Sequence, residues 1–168
     1  MNKLDSTDYR LLWELIKNSR RSDRELAKAL RSSQPTVTRR RAKLEKHCID
    51  GYTAIPNFAK IGFEFIAFNF VRLQKRFVKA EEKDTSLQKT KEWFMKQPNV
   101  IFASAGEGMG WDGIAISLHR SYSEFVEFKR RNFAEFSEVL AESQSFIIDI
   151  NPGIIVKPFH FKYLASVK

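Results

Sequence analysis

The residues best equipped for chemistry lie between positions 34 and 46. Gln34, Thr36, Thr38, Arg39, Arg40 and Lys43 fall close together, with Arg41 and Lys46 beside them. A guanidinium can donate two parallel hydrogen bonds to guanine O6 and N7, or hold a phosphate. A glutamine carboxamide matches adenine N6 and N7, and a threonine meets a thymine methyl or a phosphate. The set suits the edge of a nucleic acid rather than bond-making chemistry. Taken alone, the run TRRRAKLEK is equally a solvated basic helix face, so its meaning depends on the elements that hold it.

Other reactive groups are sparse. His47, His119 and His160 show neither the H-x-x-x-H nor the H-E-x-x-H spacing of a helical zinc site. Cys48 is the single cysteine, so no intrachain disulfide or all-cysteine metal cage can form. It is expected as a small packing residue beside Ile49. The glycines of GEGMGWDG follow one strand pattern and lead into another, so they lack the helix N-terminus of a phosphate loop. No catalytic residue, metal or cofactor is expected, and the chain reads as a non-enzyme.

Charge is distributed unevenly. Residues 1–60 carry 14 Lys and Arg against 7 Asp and Glu, whereas residues 61–168 carry 15 against 13. A local excess of this kind is the footprint of a polyanion-binding module. Apolar residues make up 43% of the chain, enough for packed cores, and 15 of the 22 aromatics are Phe. The first ten residues lack a signal-peptide pattern, and no window approaches the roughly 18 apolar residues of a membrane span. A cytoplasmic location and no membrane contact are expected.

Three short helices position the basic run. Residues 5–17 place Leu12, Leu15 and Ile16 on one face with Tyr9 beside them, capped by Asp5 or Ser6. Ser22 and Glu25 form a capping box ahead of Leu26, Ala27 and Leu30. Ser33 and Pro35 start a third helix that runs to about Lys46. On it, Val37 and Leu44 share a packing direction, while Thr36, Arg39, Arg40, Lys43 and Lys46 are expected on the outward arc, with Arg41 beside the packing face. Helix, short helix, tight turn and polar-basic helix make a helix-turn-helix, whose last helix lies in the DNA major groove. A membrane-surface helix would need a bulky apolar face, which this one lacks.

The stretch from Leu4 to Ala54, ending in Gly51-Tyr52-Thr53-Ala54, resembles the helix-turn-helix of the Lrp/AsnC transcriptional regulators in order and spacing. Arg31-Ser32 stands where that family usually has Gly and an apolar residue. Arg41 takes a usually aliphatic place, where its stem is expected to pack while its guanidinium reaches outward. His47 replaces a frequent helix-ending Gly. The resemblance implies an α+β chain: a winged-type helix-turn-helix over residues 1–51, a linker strand over 52–61, and a ferredoxin-like βαββαβ sandwich over 62–168. Some proteins of similar two-domain build decarboxylate sirohaem with basic residues and His. The strongly basic third helix argues for DNA instead, and His119 or His160 in a large cleft would be needed for that chemistry.

The rest of the chain fits such a sandwich. Phe63–Leu73 is apolar on both alternating faces, so it needs cover on two sides, by a helix of its own chain and by a partner subunit. Thr85 and Gln88 are expected to cap a helix carrying Leu87, Phe94 and Met95 and ended by Pro98. Val100–Ala105 and Ile114–Leu118 read as strands. Ser121 and Glu124 start a long helix to about Glu142, with Phe125, Phe128, Phe136 and Leu140 on its buried stripe. Phe146–Ile150 and Ile154–Phe161 are apolar segments about an Asn-Pro-Gly turn, giving βαββαβ with room for one extra strand. Dimers of such readers match two-fold DNA half-sites. The resemblance implies a homodimer or larger assembly, double-stranded DNA as partner, and an amino-acid effector held by Gly108, Gly110, Trp111 and Asp112. A plain glycine-rich hairpin, with Asp112 as turn former, accounts for the same residues.

Overall fold

The computed structural model describes residues 4–74, 80–151 and 153–166, and of residues 80–87 the backbone alone. Its contacts gather into two compact units, Met1–Ile55 with Lys157–Lys168, and Pro56–Val156. Sequence pattern alone assigns the C-terminal residues to the second domain.

The first unit holds three helices, α1 Ser6–Lys17, α2 Asp23–Leu30 and α3 Gln34–His47. Asp5 caps α1 in a reciprocal box with Asp8, and Ser22 caps α2 in the expected box with Glu25. Each box satisfies two backbone N–H groups that a helix start leaves open. Ser33 caps α3, with Pro35 in its first turn. The core joins Leu11, Leu15, Leu26, Ala27, Leu30, Val37 and Leu44, with Leu12 and Ile49 packed at its edge. The inner face of α1 is therefore turned by one residue from expectation: Leu11 replaces Leu12 and Ile16 at its centre, and Tyr9 is exposed. A 3-10 segment, Phe161–Ser166, lies against α1 in place of the expected C-terminal strand.

Three local expectations need correction. The 52–61 segment forms no ladder; it runs without regular structure to Asn57 and closes on a 3-10 turn, Ala59–Ile61. Cys48 caps α3 and is exposed, because Ile49 fills the packing place. The α3 end uses no left-handed residue: Cys48 and Ile49 N–H groups both donate to Leu44 O, at 2.7 and 3.0 Å, so His47 carries no strain. The strain sits instead at Arg31, which ends α2 in the left-handed region at φ 53°. A side chain with a Cβ is disfavoured there by about 1 kcal/mol. Arg31→Gly is accordingly expected to stabilise the unit by up to about 1 kcal/mol, measured as a higher urea midpoint.

The second unit runs β1 Phe65–Leu73, α4 Ala80–Met95, β2 Val100–Gly108, β3 Trp111–His119, α5 Tyr122–Glu135 and β4 Leu140–Asp149. The strands pair antiparallel in the order β2-β3-β1-β4, the ferredoxin-like arrangement, with no fifth strand among the described residues. Helix α4 begins at Ala80, so Thr85 lies inside it rather than capping it; the run Ala80–Lys83 contains good helix formers and no breaker. The side chains of Thr85 and Leu87 lie outside the described residues, and Met95 is exposed. Helix α5 starts on its Ser121 cap but ends at Glu135, and Leu140 opens β4. Phe136 and Leu140 are buried as expected, from a helix cap and a strand rather than from one helical stripe. The β1 backbone claims β4 as its second neighbour, with Phe65 opposite Asp149 and Val71 opposite Ser143, and that ladder ends the helix early.

One sheet face is closed by this chain. Phe65 and Ala67 of β1 pack with Phe125 of α5, and Trp93 of α4 stacks near Phe128 and Phe136. Alternation puts Ile66, Phe68 and Phe70 on the other face, beside Ile114 and Ile116 across β3 and Phe146 across β4. That face stays half-open, with Phe146 64% exposed.

Candidate nucleic-acid interface

The inner direction of α3, set by the buried Val37 and Leu44, divides the sequence-identified cations. Arg40 does not face outward as expected. It lies over α1, 24% exposed, where Nη1 donates to Asp5 Oδ2 and Asp8 Oδ1, both at 2.6 Å. Lys43 Nζ donates to the other Asp8 oxygen at 2.6 Å and is 31% exposed. Asp8 itself is fully buried. Burial pushes its carboxyl up, but hydrogen bonds from Lys43, Arg40 and the Asp5 N–H outweigh this and lower its pKa to about 2. The helix turn explains the misplacement: at 100° per residue, Arg40 stands only about 40–60° from the Val37–Leu44 direction. The expected arc was centred on charge rather than on the point opposite the core.

Arg41 is drawn inward as anticipated, but its guanidinium meets protein rather than water. It donates to Asp23 Oδ1 at 2.8 Å and to the carbonyls of Ser19 and Arg21, and lies over the Tyr52 ring. The fixed fork of a guanidinium can satisfy several acceptors at once, which an aliphatic residue could not. Tyr52 in turn donates to Glu45, the one carboxylate of α3. The connection from α1 to α2 and the first turn of α2 are thus tied to α3 by charge.

Gln34, Thr38 and Arg39 are exposed, and the turn of the helix groups them with Ala42 and Lys46. Arg39 has no ion pair among the described residues. The Thr38 hydroxyl lies 2.6 Å from Asp23 Oδ2 and 3.1 Å from Gln34 O, which fixes its rotamer and leaves its methyl as an outward contact. Thr36 sits nearer the edge, with its hydroxyl 2.8 Å from that of Ser33. Sequence reasoning missed Ala42, whose small side chain lets a groove wall approach, and missed Asp8 as the anchor of two cations. The Asp5-x-x-Asp8 cap spacing was the available signal for the latter.

The hairpin candidates are brought together around the end of β1. Gly108 and Trp111 pair across a two-residue turn in which Met109 and Gly110 both have positive φ, 50° and 77°, the form that matches strand twist. Asp112 Oδ2 accepts from the Leu73 N–H at 2.8 Å, Arg72 Nε donates to Gly110 O at 2.8 Å, and the Arg72 guanidinium covers Trp111. A Cβ on Gly113 would lie 3.1 Å from Val71 and 3.2 Å from Ser104 O, so close strand approach explains that glycine. Asp112→Ala is expected to cost about 1 kcal/mol by stranding the Leu73 N–H, read from urea denaturation.

The residues of the enzyme alternative are not set for chemistry. His119 is fully buried against Phe65, Phe125 and Phe128, with Nε2 2.8 Å from Ser117 Oγ, and burial lowers its pKa. His160 accepts from the Lys162 N–H. No group of metal-ligating side chains occurs among the described residues, and no described helix is long and apolar enough to cross a membrane.

A three-helix unit that ties the rear of its third helix by charge and offers a polar, basic front defines a helix-turn-helix protein of the DNA-binding class. The family profile described as the AsnC-type helix-turn-helix domain matches residues 4–45. An HTH-type transcriptional regulator of Pyrococcus furiosus is 34% identical over 127 residues, covering 75% of this chain and 79% of that protein. One from Pyrococcus abyssi is 39% identical over 75 residues, 44% of this chain and half of that protein. The crystal structure of a Neisseria meningitidis transcriptional regulator in complex with L-Met superposes with a TM-score of 0.75 at 22% identity, covering 87% of this chain and 90% of that one. The chain belongs to the Lrp/AsnC family of transcriptional regulators.

Proposed function

We propose that the chain is a homodimeric, sequence-specific regulator that reads double-stranded DNA with the front of α3. The observation that carries this reading is the exposed set Gln34, Thr38, Arg39, Ala42 and Lys46 on one side of α3, in which Arg39 has no ion pair among the described residues while Asp5, Asp8 and Asp23 hold Arg40, Lys43 and Arg41. Arg39 and Gln34 are the base readers; Thr36 and Thr38 contact phosphate or a thymine methyl; Arg40 and Lys43 brace the helix and add positive potential. Selection of duplexes from a random pool tests this directly. A recurring pair of half-sites is expected, with affinity falling about 10³-fold or more between 50 and 200 mM salt. Weak binding insensitive to sequence and salt would overturn it.

The open sheet face supports a two-fold dimer. Phe68, Ile116 and Phe146 form an apolar patch on strands that already pair within the chain, and a second copy offers the matching patch. Phe146→Lys is expected to convert the dimer to a monomer in sedimentation analysis while leaving the thermal transition cooperative, since the side chain is mostly exposed in one subunit.

An amino-acid effector at the hairpin follows from the family and is consistent with the L-Met complex of the Neisseria regulator. Gly108 and Gly110 permit close approach, Trp111 offers a ring, and Asp112 keeps its second oxygen for an ammonium. Titrating amino acids against thermal stability tests it: a ligand at 100 times its dissociation constant adds about 2.7 kcal/mol. Equal melting of wild type and Asp112→Ala at every amino-acid concentration, beyond their constant offset, would leave the hairpin a purely structural turn.

A further inference from the structure

Within the second unit a cavity of about 350 Å³ opens between α5 and the strands β1 and β4. That is a volume typical of small-molecule sites, roughly 300–1,000 Å³. It is separate from the hairpin, and none of Gly108, Gly110, Trp111 or Asp112 lines it.

Its polar wall is made by Asn69, Asn132 and Ser143. Asn132 lies on the buried stripe of α5 with Phe125 and Phe128, is only 8% exposed, and makes no side-chain hydrogen bond with any described residue. The neighbouring Asn69 is 3% exposed. It donates to Ser117 Oγ at 2.9 Å and accepts from Ser145 Oγ at 2.8 Å, so it forms a fixed wall. Asn132 lines the cavity with a carboxamide uncommitted to any described residue.

Charge and shape narrow the ligand. No acidic residue lines the cavity. Arg130 at its margin is held by both oxygens of Glu127, at 2.8 and 2.9 Å. Lys129, half-buried, has no carboxylate partner among the described residues and lies 5.7 Å from the Phe125 ring centre. Phe128, Phe133 and Leu140 supply the apolar lining. One cation, one free amide donor and aromatic walls fit a carboxylate on a compact apolar body. An α-ammonium would meet no anion there, so amino acids fit poorly.

We infer that this cavity binds a small monocarboxylic acid with an aromatic or branched apolar tail, its carboxylate accepting from Asn132 and pairing with Lys129. The inference stands independently of DNA binding and of the hairpin effector. Calorimetric titration of the full chain with phenylacetate tests it, with phenylacetamide and L-phenylalanine as the neutral and ammonium-bearing counterparts. Saturable one-to-one binding of phenylacetate is expected, at least tenfold tighter than of either counterpart. Lys129→Gln and Asn132→Leu should each weaken it tenfold or more. A cooperative thermal transition retained by both unliganded variants separates lost binding from lost folding. Absence of saturable binding at millimolar phenylacetate, equal affinity for phenylacetamide, or affinity unchanged in both variants would overturn the inference. Affinity lost only in Asp112→Ala would do so too, by moving the site to the hairpin.

Discussion

Asp8→Ala is expected to destabilise the helix-turn-helix unit by about 3 kcal/mol, more than any other single change considered for that unit. Asp8 is fully buried and accepts from Arg40 and Lys43 through separate oxygens. Removing it leaves Lys43 without a carboxylate among the described residues and Arg40 with only the exposed Asp5, so the two cations relieve their repulsion by swinging toward water. Because both are partly exposed, the loss falls at the low end for a broken buried pair. The same group sets an acid limit. Its folded pKa of about 2 lies below the ordinary 3.8, so its contribution is complete above about pH 4 and disappears as pH falls toward 2. The shift is worth about 2 kcal/mol. Urea denaturation from pH 2 to pH 7 checks both statements. Asp8→Asn should remove most of the acid-dependent loss; a variant as stable as wild type at pH 7 and equally acid-sensitive would refute the role given to Asp8.

Arg39→Ala is expected to weaken binding to the selected duplex by about 2 kcal/mol, roughly 30-fold, and to relax preference at one base position. Arg40→Ala is expected to do the opposite: to lower the urea midpoint by removing one of two counterions of Asp8, while the base preference stays. The contrast is sharp because the two arginines are adjacent and chemically identical. Only their angle to the core differs, and that angle decides whether the guanidinium meets a carboxylate of α1 or the solvent. Fluorescence anisotropy with the selected site and single-base variants measures it. A preference that changes in Arg40→Ala and not in Arg39→Ala would reverse the assignment.

Much of the fold was legible because local chemistry and global structure agree. Ser22, Ser33 and Ser121 each cap a helix where the pattern of Ser followed by Glu or Pro places one. The stretch Phe63–Leu73, apolar on both faces, was expected to be covered on two sides; it forms β1 from Phe65, and α5 supplies the cover on one of them. The errors fell where local pattern is silent. Helix α5 was extended past Glu135 because residues 136–140 keep a helical apolar spacing, yet the free edge of β1 captures Leu140 onward. Helix α1 offered two apolar stripes, and contacts with α2 and α3 selected Leu11 over Ile16.

The sequence by itself determined the class of this protein. Three capped helices, a basic third helix and a βαββαβ pattern follow from spacing and backbone propensity, which act within a few residues. It could not determine which of three consecutive arginines faces outward, because that depends on contacts 18 to 35 positions apart. Asp8 recruits Arg40 and Lys43, and Asp23 with the Ser19 carbonyl recruits Arg41. Charge attracts charge without regard to sequence distance, so only the packed structure shows that Arg39 is left free.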